Sequence, residues 1–278
     1  MRITLLGTGS PLPDPVRAGP ATLVQGGEAR ILFDCGRGVV TRLAGAGTLP
    51  MMLSGVVLTH LHSDHVCDLS DVITTHWVMS APGPALRIVG PVGTRELVDR
   101  TLAMLATDIG YRVGHHADLA EGPVPEVLEV EAGDRFELGG LTVTVGATDH
   151  RPVAPTVGYR VDDGSEQVVI AGDGVPCATL DGLVAGATAY VQTVIRDDLV
   201  RLVPNPRFQD ILDYHSTVAQ AADTARRAGV EVLVLTHYVP AIAPGAEDEW
   251  RQQASGFSGL VVMGDDLTSV DLTTREVT

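Results

Sequence analysis

Short apolar runs recur along the chain, each four or five residues long and bounded by Gly, Asp or His. They fall at 3–6, 29–33, 56–59, 86–89, 141–145, 167–171, 232–236 and 260–263. Runs this short, rich in Val, Ile and Leu, read as largely buried strands. Helical spacing occupies the gaps at 39–43, 96–105, 180–184, 218–227 and 247–253. The fourth of these is clearly punctuated. Thr217 followed by Gln220 predicts a capping box, and Gly229 is placed to end the helix. Strands follow one another directly over 127–172, whereas helices separate the others. That order predicts an α/β fold of two packed sheets with helices outside, as one domain over 1–278. No tandem repeat or long linker interrupts it.

Composition sharpens this picture. Hydrophobic residues make up 45% of the 278 and charged residues 19%, enough for a sizeable core and too apolar for a disordered chain. The net charge of −16 repels polyanions and anionic membranes at long range. Metal ions in a pocket can reverse that sign locally. Cys35, Cys67 and Cys177 are odd in number and form no C-x-x-C pair, which predicts reduced thiols and a cytoplasmic location. The opening MRITLLGTGS reads as a first strand and not a signal peptide. No apolar run approaches the roughly 18 residues of a membrane helix.

The chemistry gathers where apolar runs end. VVLT leads into His60, TVGATD into His150, VVIAGD contains Asp173, and VLVLT leads into His237. The stretch THLHSDH adds His62, Asp64 and His65 within six positions. No regular helix or strand directs all four to one point. A tight loop after a strand would splay them into two neighbouring pairs. Imidazole and carboxylate together suit zinc and similar divalent ions. Several such groups buried without a counter-ion would be costly. His76, His115, His116 and Cys67 are assigned to non-metal roles, Cys67 to packing. GTGS at 7–10 reads as a close turn near the site and not a phosphate loop, since no Lys follows.

The ordered set TH-LHSDH, His150, the GD of Asp173 and the LTH of His237 resembles the metallo-β-lactamase fold. GTGSPLP, LFDCG and DYHST narrow the resemblance to the ribonuclease Z and arylsulfatase-like branch. The resemblance implies a four-layer αβ/βα sandwich with two divalent metal ions at one edge, zinc first and manganese or iron as alternatives. It assigns His60, His62 and His150 to one ion, Asp64, His65 and His237 to the other, and Asp173 to both. Asp64 would also take the proton of the attacking water. His215 would assist the leaving oxygen, and Asp34 would orient a liganding imidazole. The activity implied is phosphodiester hydrolysis by a metal-activated hydroxide. A lactonase or arylsulfatase-like ester hydrolase is the alternative, and a metal-binding partner protein without turnover is a third reading. A homodimer is also implied.

Two departures from the branch pattern shape the substrate expectation. Gln192 stands where Glu is expected to support His215, and no Arg follows His237. Between Asp173 and His215 the only cations are Arg196, Arg201 and Arg207, against Asp181, Asp197, Asp198, Asp210 and Asp213. A segment so poor in Lys and Arg makes a weak grip on RNA. The sequence therefore points to a small ester or a small or nucleotide-like phosphodiester, and away from transfer RNA, with no membrane partner.

Overall fold

The computed structural model describes residues 1–80 and 83–278. Its first sheet contains β1 (Arg2–Gly7), β2 (Ala21–Gly26), β3 (Ala29–Phe33), β4 (Gly55–Val57), β5 (Arg87–Gly90) and β6 (Glu126–Glu129). The second contains β7 (Arg135–Leu138), β8 (Leu141–Ala147), β9 (Val157–Asp162), β10 (Gln167–Ile170), β11 (Ala189–Ile195), β12 (Val232–Val239) and β13 (Leu260–Met263). The chain then returns to the first sheet as β14 (Ser269–Asp271), beside β1.

The two sheets are built alike. Each begins with antiparallel strands, β14-β1-β2-β3 and β7-β8-β9-β10, and continues in parallel through β3-β4-β5-β6 and β10-β11-β12-β13. Parallel strands need crossover connections, and the crossover helices cover the outer faces. One apolar core fills the space between the sheets, with Ile31, Phe33, Val57, Tyr159, Val191 and Val234 fully buried. A second lies between the second sheet and its helices, which include Val218–Ala228. A third lies under the helices of the first sheet, which include Val39–Gly45 and Leu69–Ser80. Helix, sheet, sheet and helix make two packed sheets with helices outside, as the strand order predicts, in the four-layer αβ/βα sandwich that the resemblance implies.

The apolar runs mark strands well, because most of them are buried on both faces. The capping box forms as expected: Thr217 Oγ1 accepts from Gln220 N, and the Gln220 side chain accepts from Thr217 N. Such a cap contributes about 1 kcal/mol. Gly229 closes the helix in the left-handed conformation. The helix expected at 96–105 runs farther, Thr94–His115, so His115 ends it. Gly110 and Gly114 sit on its exposed surface, where a glycine weakens a helix without breaking it. Among the described residues no helix is long and apolar enough to cross a membrane.

The topology sends several strand ends to one edge. β4 and β12 leave their sheets beside the C-terminal ends of β8 and β10. In open α/β sheets this is where ligands bind, because the chain switches from strand to loop there. Two links fix the two sheets to each other at this edge. Tyr159 Oη donates to the Leu58 carbonyl at 2.7 Å, and Val157 N donates to the Thr59 carbonyl at 3.0 Å.

Candidate metal centre

β4 leads directly into Thr59 and His60. The next residues are not the tight loop expected from spacing. They form one helical turn, Ser63–Val66, whose start at His62 turns Asp64 and His65 inward. His150 follows β8, and Asp173 follows β10. His237 lies inside β12 at φ 54°, a left-handed conformation rare for a residue with a side chain. Gly172, before Asp173, has φ 68°, and a Cβ there would lie 2.7 Å from the Cβ of Thr59. Only glycine lets the chain pass so close to the first sheet.

These elements bring all seven predicted ligands together. His60, His62, His150 and Asp173 offer ligand atoms within 4.8 Å of one another, and so do Asp64, His65 and His237. Asp173 Oδ2 joins the two groups. It lies 3.9 Å from Nε2 of His60 and His150, 3.4 Å from that of His65 and 3.6 Å from that of His237. His215 Nε2 is 3.3 Å from the same oxygen. Asp64 Oδ2 is 3.2 Å from His237 Nε2 and 3.6 Å from His65 Nε2. All are buried except His62, which is half-buried and marks the solvent side.

Hydrogen bonds fix which nitrogen of each ring stays available. His65 donates through Nδ1 to Asp34 Oδ2 at 2.8 Å, leaving Nε2 buried without a partner. Thr59 gives its hydroxyl proton to Asp34 Oδ2 at 2.9 Å, so its oxygen accepts from His60 Nδ1 at 3.0 Å. Asp34 therefore orients His65 directly and His60 through Thr59. His150 donates through Nδ1 to the Tyr214 carbonyl at 2.8 Å. The freed Nε2 atoms of His60 and His150 then stand 3.1 Å and 3.2 Å from one atom, His62 Nδ1. One ring proton cannot satisfy three converging nitrogens. A cation can. Asp173 Oδ1 and His237 Nδ1 are also buried without partners. A donor set of imidazole and carboxylate with orphaned buried lone pairs fits divalent metal ions.

The electrostatics agree. Burial holds His60 well below the usual imidazole range, reinforced by the neighbouring His65, and burial also lowers His62 and His150. Three neutral imidazoles are thus ready to ligate. Burial works against the charge of Asp173, yet His237 and His65 overcome it and hold the carboxyl well below its ordinary range. Burial likewise opposes a proton on His65, but the Asp173 and Asp34 carboxylates raise it well above normal.

Gln192 is fully buried and faces away from the cluster. Its amide donates to the Gly172 carbonyl at 3.1 Å and its oxygen accepts from Tyr190 Oη. It braces the backbone before Asp173 and does not touch His215, whose Nδ1 donates to the Ile211 carbonyl at 3.2 Å. Thr193 Oγ1 donates to the same Gly172 carbonyl at 3.0 Å. His76 is buried beside Ser80, and His115 and His116 lie exposed on another face. Cys67 does not pack as expected. It is exposed, because the short turn Ser63–Val66 ends just before it. Sequence reasoning missed Thr59, Thr193 and the Tyr214 carbonyl. Thr59 stands in the LTH motif and could have been found there, but a backbone acceptor has no sequence signature.

Comparison with known proteins accords with this geometry. The profile of the β-lactamase superfamily domain matches residues 29–238. Ribonuclease Z of Mycobacterium bovis is 54% identical over 278 residues, covering 99% of each chain. Ribonuclease Z of Mycobacterium avium is 56% identical over 275 residues, covering 98% of each. The chain belongs to the β-lactamase superfamily, in its ribonuclease Z branch. It is a metal-dependent hydrolase of phosphodiester bonds. Solved structures share the fold at lower identity. The metallo-β-lactamase fold protein YhfI of Bacillus subtilis superposes with a TM-score of 0.75 at 22% identity, covering 96% of this chain and 97% of that one. Human short-form tRNase Z gives 0.72 at 24% identity, covering 98% and 99%.

The kinship corrects the substrate expectation. A small-molecule substrate, with transfer RNA set aside, does not survive full-length identity above one half to ribonuclease Z enzymes. Counting cations in one segment was too narrow a test. The segment in question folds back on the domain, where Phe208, Ile211 and Leu212 pack on Ile195, Val200 and Val239. Its charge says little about the field at the cluster, where bound metal ions would dominate.

Asp34→Asn removes the charge that orients His65 and, through Thr59, His60. Metal affinity should fall by about 10- to 100-fold with the fold intact, as read by competition with a chromophoric chelator and by circular dichroism.

Proposed function

We propose that this chain is a ribonuclease that cuts precursors of transfer RNA at one internal phosphodiester, using two divalent ions, with zinc the first choice. The observation that carries the reading is the position of Asp173 Oδ2, within 3.9 Å of imidazole nitrogens from both ligand groups. A single carboxylate so placed suits a shared ligand. His60, His62 and His150 would hold one ion, and Asp64, His65 and His237 the other. The His and Asp donors favour zinc and accept manganese or iron. Such a pair supplies Lewis acidity toward the phosphoryl oxygen and acidifies water near neutral pH.

The protein's own groups do the rest. Asp34 and the Tyr214 carbonyl hold the ring protons of His65 and His150 on Nδ1, so that Nε2 faces the cluster. Asp64 stands at the cluster with its carboxylate toward His65 and His237, placed to take a proton from the attacking water. His215 has its Nδ1 proton committed to Ile211, so Nε2 is the position from which it delivers a proton to the leaving oxygen. Free thiols at Cys35, Cys67 and Cys177 support a cytoplasmic location. The family resemblance supports a homodimer, which sedimentation can decide.

The test uses a 5′-labelled transfer RNA precursor and metal-loaded protein. A single internal cut is expected. A ladder of stepwise products, or turnover of small esters with no RNA cut, would overturn the reading. In the same assay His215→Ala should lower kcat by about 10²- to 10⁴-fold with both ions still bound. Loss of an ion in that variant would make His215 a ligand instead.

A further inference from the structure

The ligand group Asp64, His65 and His237 is shaped from behind by residues outside the 29–238 match. Asp266, in the connection from β13 to β14, has a side chain only 4% exposed. Its Oδ1 accepts from Thr8 N at 2.9 Å and Thr8 Oγ1 at 2.8 Å. Its Oδ2 accepts from Ala18 N at 2.6 Å and pairs with Arg42 Nε at 2.9 Å. Four donors thus satisfy one carboxylate, and two chain segments are clamped by it: the turn after β1 and the approach to β2.

Each clamped segment leads to one metal-group residue. The Thr8 carbonyl accepts from Tyr238 N at 3.1 Å, the amide next to the left-handed His237. A residue in that conformation persists only where its surroundings hold it. On the other side, Gly19 follows Ala18 and interlocks with Gly36. A Cβ on Gly36 would lie 2.2 Å from the Gly19 carbonyl carbon. Gly19 N donates to the Arg37 carbonyl at 2.8 Å, and Cys35 N donates to the His65 carbonyl. Neither path bonds directly to His60, His62 or His150: Asp34, next to Cys35, meets His60 only through Thr59, and His150 is held by the Tyr214 carbonyl.

We infer that Asp266 is a positioning residue for one ligand group only: through Thr8 and Ala18 it sets the backbones of His237 and His65, and so the affinity of the ion held with Asp64. The inference rests on the two-ion reading above. Asp266→Asn keeps the shape and the two bonds at Oδ1. It places an amide N–H against the Ala18 N–H and the Arg42 guanidinium, so the Oδ2 half of the clamp opens.

The experiment is a stepwise zinc or cobalt titration of the full chain. Asp266→Asn should weaken one of the two binding steps about tenfold or more and leave the other within twofold. In an Asp64→Ala background the remaining step should not respond to Asp266→Asn. In a His62→Ala background it should. Amide exchange at Thr8 and Tyr238 should quicken in Asp266→Asn, a readout that needs no metal. Asp248→Asn, exposed on the helix Glu247–Gln253, is the control and should change neither step. Equal weakening of both steps, or no weakening with unchanged exchange, overturns the inference. If Asp266→Asn does not fold, Arg42→Gln removes one of the four partners and carries the same comparison. A wild-type chain that binds fewer than two ions would instead mark failure of the two-ion reading, while the exchange data would still report on the clamp.

Discussion

Asp64→Ala is expected to lower RNA cleavage by about a thousandfold or more while the protein stays folded. Asp64 is buried, and its carboxylate lies 3.2 Å from His237 Nε2 and 3.6 Å from His65 Nε2. It is the only carboxylate in its ligand group apart from the shared Asp173. On the proposed reading, its loss removes an ion ligand and the group placed to receive the proton of the attacking water. Proton transfer alone is worth about 10²–10⁴ in rate. The structural cost is smaller. An unpartnered buried imidazole costs roughly 1–3 kcal/mol, within the margin of a domain this size. Single-turnover cleavage and a thermal melt separate the two effects. Unfolding with normal specific activity in the surviving folded fraction would contradict the assignment.

Asp173→Asn should have the larger effect on metal content. Its Oδ2 lies within 3.9 Å of Nε2 atoms from His60, His65, His150, His215 and His237. An amide of the same shape keeps the packing and removes the one charge common to both groups. Metal analysis after gel filtration should show fewer than one ion per chain, with cleavage below detection. Two ions retained at ordinary affinity would show that the groups bind independently, and that Asp173 has some other task.

Much of this was legible in the sequence for a physical reason. Strands buried on both faces, such as β12 with VLVLTHYV, must be uninterrupted apolar runs, so a histidine at their end stands out. The missed strands, β2, β6, β7, β9, β11 and β14, mostly break their apolar residues with polar or small ones, as VGYRVD in β9 and AYVQTVI in β11 do. β7, RFEL, is a partly exposed edge, and β14, SVD, is only three residues long. The convergence of the seven side chains was legible because so many awkward polar groups close to strand ends have few other uses. Two features could not be read. One was the left-handed turn of His237, which depends on a carboxylate 29 positions away at Asp266. The other was Gln192. Its place in the branch pattern suggested contact with His215, but strand alternation turns it to the helix-covered face beside Tyr190. The substrate was misread for a different reason. Charge in one segment is a local quantity, whereas affinity for a polyanion depends on the field of the whole surface it meets.

Cleavage should require both ions of the shared cluster. The most direct measurement strips the protein with a chelator, returns zinc in steps, and follows bound ions per chain and cleavage of a transfer RNA precursor in the same samples. Little cleavage is expected up to one ion, a steep rise between one and two, and a plateau at two. Cleavage that survives complete stripping, or no cleavage with two ions bound, would contradict that requirement.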